Sequence, residues 1–146
     1  VFLSADTDAV PTTMLHNLKH NKVVHERVVF LTLATADVPR LPDAERTEVH
    51  VLIPKRAYQA TVAYGFMEEP DAPRALALLP RHGLRFERDE TTFFLGKSTI
   101  ARAERPGLFT WRRGLFRWMQ RNGPSAAEYY NLPPDRVIEL GTQLSL

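Results

Sequence analysis

Val28-Val29-Phe30-Leu31-Thr32-Leu33-Ala34 is apolar at every position but Thr32. A strand that is apolar on both faces is covered on both, as in the middle of a sheet with helices on each side. Working upstream, Val1 to Ser4 is a shorter apolar run that reads as another strand. Asp6-Thr7-Asp8 follows as a turn able to cap a helix, and Pro11 suits a first helical turn, where a missing N–H costs nothing. Met14, Leu15 and Leu18 keep helical spacing as far as about Val24. Strand, helix and strand make a βαβ unit with a right-handed crossover.

Downstream, Val38 to Arg46 holds two prolines and several charges and reads as a loop. Glu48 to Ile53 and Ala57 to Phe66 read as a hairpin closed by Pro54-Lys55-Arg56. Asp71-Ala72-Pro73 opens a helix through Leu79, with Gly83 as its stop. Thr91 to Gly96 is a further strand. Leu108 to Asn122 is the most amphipathic stretch, with Trp111, Leu115, Trp118 and Met119 on one stripe. Ser125 caps a short helix through Tyr130, and Arg136 to Leu140 is a closing strand. The expected fold is α/β: a mixed central β-sheet with helices packed on its faces, beginning with the βαβ unit.

The 146 residues fit one domain, residues 1–146. A chain of this size can bury on the order of 70% of its unfolded surface. There is no cysteine, so disulfides, thiolate metal sites and cysteine nucleophiles are excluded. The net charge of +2 is too small to argue for nucleic acid, and no nucleic-acid partner is expected. No run approaches the ~20 apolar residues of a membrane-spanning helix. Val1-Phe2-Leu3 looks like the middle of a strand, and a natural chain would begin with Met. The expectation is therefore a piece of something longer.

The chemistry-bearing residues concentrate in Leu15 to Arg27. His16 and His20 are four apart and share a helical face, set opposite Leu15 and Leu18. Two imidazoles could ligate a metal with His25 or Glu26 as a third ligand. A zinc protease, however, needs Glu beside its first His, and Asn17 stands there. His16, Asn17, Lys19, His20, Asn21, His25 and Glu26 are thus read as a polar face for an interface or a ligand. Arg113, Arg117 and Arg121 repeat at i, i+4, i+8 and form a candidate basic surface. Glu68-Glu69 is read as a helix-start signal. Gly-rich phosphate cradles are absent, and Asp6 and Asp8 in the first strand–helix turn would repel phosphate. Ser4, Ser98 and Ser125 have no nucleophile-elbow context. No catalytic residue, metal site or cofactor is assigned.

Three runs carry a resemblance: Leu15-His16-Asn17-Leu18-Lys19-His20-Asn21-Lys22-Val23-Val24-His25-Glu26-Arg27, Tyr64-Gly65-Phe66-Met67-Glu68-Glu69-Pro70, and Glu139-Leu140-Gly141-Thr142-Gln143. Together they resemble the cytosolic C-terminal domain of the KUP family of bacterial potassium uptake transporters. The resemblance implies a non-enzymatic domain at the cytoplasmic side of the inner membrane, attached to the membrane domain of a proton-coupled potassium symporter. It would support assembly or regulation of transport. Homodimerisation and an anionic lipid surface are further partners to consider. The alternative is a ligand-sensing domain that binds a nucleotide or cyclic dinucleotide to control transport. Potassium-coordinating residues would lie outside this chain.

Overall fold

The computed structural model describes residues 1–5, 7, 9–100 and 125–144. Six strands form one sheet: β1 (Phe2–Leu3), β2 (Val28–Ala36), β3 (Thr47–Ile53), β4 (Ala57–Gly65), β5 (Phe93–Ile100) and β6 (Val137–Leu144). Their order across the sheet is β3-β4-β2-β1-β5-β6. All neighbours run parallel except β3, which returns antiparallel along β4. This is the expected mixed α/β sheet, opened by β1, helix α1 (Thr12–Asn21) and β2.

The apolar run that opens the argument is β2, paired with β4 on one side and β1 on the other. Its alternation supplies two cores. Val29 and Leu31 join Leu3, Ala60, Val62, Phe93 and Leu95 on one face. Helix α2 (Ala72–Leu78) covers that face with Ala72, Ala75, Leu76 and Leu78, assisted by Ala127 of the short α3 (Ala126–Tyr129) and by the adjoining Tyr130. Val28 packs with Phe2 and Phe94 in a second cluster, against which Met14 of α1 and Phe30 lie. Helices therefore sit on both faces, which is why β2 has no polar face.

Capping follows the sequence closely at two helices. The Asp71 side chain accepts from the Arg74 backbone N–H at the start of α2. A 3-10 turn, Leu79–His82, extends the helix to Gly83, whose φ of 78° suits glycine. Ser125 and Glu128 form a reciprocal capping box on α3. The hairpin turn places Lys55 at φ 64°.

Helix α1 departs from expectation. Pro11 is its N-cap rather than part of its first turn, and no side chain caps it among the described residues. The helix closes at Asn21, with Lys22 left-handed at φ 55°, short of Val24. Its buried residues are Thr13 and Asn17, while Leu15 and Leu18 are 53% and 43% exposed. The apolar spacing thus misassigned the buried face. Asn17 tolerates burial because its amide donates to the Val23 carbonyl and its oxygen accepts from Asn21. The amphipathic stretch Leu108–Asn122, with Arg113, Arg117 and Arg121, lies outside the described residues, as do Asp6 and Asp8.

Candidate functional site

The order of the strands creates a topological switch point. After β1 the chain builds β2, β3 and β4 to one side, then crosses to place β5 and β6 on the other. In open α/β sheets, ligands bind at the carboxyl ends of the strands where the order reverses. Here β1 leaves the sheet after Leu3, paired with Leu31, while β2 runs on to Ala36 and β5 to Ile100. The flanking strands lose the strand between them, and a crevice opens.

That crevice has a volume of about 450 Å³, within the usual range of small-molecule sites. Leu31, Leu33 and Leu95 form its floor, the first turn of α1 one wall, and Tyr130 another side. The backbone N–H groups of Thr12 and Thr13 have no acceptor among the described residues, as expected at a helix start without a side-chain cap. Thr13 is 4% exposed, and its Oγ1 is buried with no hydrogen-bond partner among the described residues. An orphaned buried hydroxyl costs about 1–3 kcal/mol. Close packing fixes Thr13 in place: a Cβ added at Gly96 would sit 3.2 Å from Thr13 Cγ2. The sequence reading had β1 as a short strand, but that its neighbours run on past it is revealed only by their registers.

The polar residues singled out in α1 and its exit are divided by the fold. The His16 and His20 rings stack at 6.0 Å between centroids. Asn17 faces inward and is bound to Asn21. Lys19, His20, Asn21 and Glu26 are exposed, and His16 is half-buried. His25 instead meets the edge of Phe94 at 5.6 Å. Among the described residues, no group of three His, Cys, Asp or Glu side chains could hold a metal ion.

A second polar cluster has an architectural character. Arg46 is 3% exposed. Its Nη2 donates to Glu68 Oε1 at 3.0 Å and to the Leu41 carbonyl. Its Nε lies 3.0 Å from Asp43 Oδ1, an ion-pair distance without hydrogen-bond alignment, and Nη1 has no hydrogen-bond partner among the described residues. The guanidinium stands 5.3 Å from the Tyr64 ring centre. Glu68 also accepts from the Gly65 and Leu41 N–H groups. The Gly65 N–H, then the Arg46 guanidinium, hold its carboxyl down at about 2. Glu68 is therefore a loop clasp, not the helix-start signal expected. That role belongs to Asp71.

The whole chain, residues 1–146, matches the family described as "K+ potassium transporter C-terminal domain". The chain belongs to this family. Relatives agree along its full length. A "Probable potassium transport system protein Kup" of Azoarcus sp. (strain BH72) is 49% identical over 146 residues. One of Myxococcus xanthus (strain DK1622) is 45% identical over 147 residues. "Kup 1" of Paramagnetospirillum magneticum (strain ATCC 700264 / AMB-1) is 47% identical over 146 residues. Each match takes in 100% of this chain, and the chain spans only 22–23% of the length of these relatives. No solved structure matches it. Among the described residues, no helix of this KUP-family domain is long and apolar enough to cross a membrane.

Proposed function

We propose that this domain supports assembly or regulation of a KUP-type potassium transporter, a proton-coupled symporter, from the cytoplasmic side of the bacterial inner membrane. The observation that carries the reading is the full-length family match of a chain that spans under a quarter of its potassium-transport relatives. The role is non-enzymatic, and the partner is the membrane domain of the same polypeptide. A second copy of the domain and an anionic lipid surface facing Arg113, Arg117 and Arg121 are additional partners in this proposal. The test replaces the domain with an inert linker in the full-length parent and measures potassium uptake and membrane abundance in uptake-deficient cells. Reduced uptake at unchanged abundance supports regulation. Reduced abundance supports assembly. Unchanged values for both would sink the proposal.

The crevice at the switch point favours a second reading, in which the domain senses a small ligand of nucleotide type and couples its binding to transport. The supporting observation is the crevice itself, about 450 Å³, beside the Thr12 and Thr13 N–H groups, which have no acceptor among the described residues. Calorimetry with adenine nucleotides and cyclic dinucleotides tests it. A dissociation constant near ~1 μM, about −8 kcal/mol, would put sensing first.

A further inference from the structure

We propose that the outward face of α1 and its exit is a docking surface for the anionic leaflet of the membrane. The inference rests on the reading that the domain sits at the cytoplasmic side of the inner membrane. It names a surface other than the row Arg113, Arg117 and Arg121. Helix α1 reverses the usual arrangement of a surface helix, in which the apolar face is covered. Thr13 and Asn17 are its buried residues, and Leu15 and Leu18 are exposed. Leu15 stands about 200° around the helix from Asn17, almost opposite it. Just past the helix, Val23 and Val24 are each more than half exposed. Leu18, Val23 and Val24 border one shallow depression, with Met14 and Phe2 also in its lining. The exposed apolar residues therefore form a patch rather than scattered side chains, and such a patch marks an interaction site.

Charge selects the partner. Lys19 and Lys22 follow Leu15 at i+4 and i+7 and so share its face. Both are exposed, and neither has an ion-pair partner among the described residues. Between Thr12 and Arg27, Glu26 is the one carboxylate of the sequence. A second copy placed on this face across a two-fold axis would set lysines against lysines. An anionic bilayer satisfies both features at once. The leucines and valines enter the boundary between headgroups and acyl chains. The lysine stems lie along that apolar surface while their ammonium groups reach lipid phosphates. Each lysine brings about a fivefold gain in partition.

Co-sedimentation of the 146-residue chain with vesicles tests this. One set holds phosphatidylglycerol with phosphatidylethanolamine, and the other phosphatidylcholine alone. At low salt, binding to the anionic set should exceed the neutral one by at least about tenfold, and it should fall as salt rises. Lys19→Gln with Lys22→Gln should weaken it about 25-fold, and Leu15→Gln with Leu18→Gln at least about tenfold. Circular dichroism confirms that each variant is folded. The chain has no cysteine, so Leu15→Cys can carry a polarity-sensitive dye at a single site. Its emission should shift to the blue on anionic vesicles, whereas a dye at Val51→Cys, on an exposed position of β3, should not shift. Equal shifts at both positions would overturn the assignment of the face. So would binding that survives both α1 pairs and is lost when Arg113, Arg117 and Arg121 become Gln. A dimer in sedimentation equilibrium that dissolves in the Leu15 and Leu18 pair, with vesicle binding unchanged, would give the face to a second copy and overturn the inference. No binding to anionic vesicles at about 1 mM lipid would also overturn it, leaving the assembly or regulation reading to the linker replacement.

Discussion

Arg46 and Glu68 are far apart in sequence, and their pairing ties the loop before β3 to the turn after β4. The pair also makes stability respond to acid. The Glu68 carboxyl is held near 2, below its ordinary value of 4.5. The folded state therefore binds fewer protons than the unfolded state in that interval. Its contribution is complete above about 4.5 and fades as pH falls toward 2. In Glu68→Gln, the melting-temperature deficit against the parent should be largest near neutral pH and close as pH falls through that window. A deficit independent of pH would show that the charge contributes nothing. Beside this pair, Gly65 has a steric role. An ideal Cβ there would lie 2.3 Å from the Pro39 carbonyl oxygen. Gly65→Ala should cost about 3 kcal/mol in denaturant unfolding, because backbone rather than a flexible side-chain end blocks the methyl. The sequence displayed Tyr64-Gly65-Phe66 as a distinctive run, but the loop that demands the glycine is remote and could not be read from it.

Elements with local rules were legible in advance. The largely apolar β2, the hairpin around Pro54-Lys55-Arg56, the helix opened at Asp71 and the Ser125 cap all stand where the sequence put them. Helix α1 shows where such rules stop. Its Met14, Leu15 and Leu18 spacing indicated a helix correctly, yet the sheet receives Thr13 and Asn17. Two hydrogen bonds of Asn17 offset its desolvation, and the close approach at Gly96 accommodates Thr13. Leu15→Gln with Leu18→Gln should therefore alter stability by less than about 0.5 kcal/mol per site in urea melts. A loss of several kcal/mol would mean that this face is buried after all, for example against a second copy.

For the whole molecule, metal should be unnecessary. His16 and His20 stack without a third ligand among the described residues. Chelator should leave the thermal midpoint unchanged, and a fall equivalent to more than ~3 kcal/mol would restore a metal site to consideration. The sequence by itself determined the α/β class, the initial βαβ unit and family membership. Each is written in short-range periodicity, caps or contiguous motifs, which no distant contact has to complete. The tertiary structure alone decided which face of α1 is buried, why Gly65 cannot carry a side chain, and where the crevice lies. Those depend on strand order and register, and therefore on which distant segments meet. The crevice exists because β1 ends while its neighbours on both sides continue, and a strand's neighbours are assigned only when the sheet assembles.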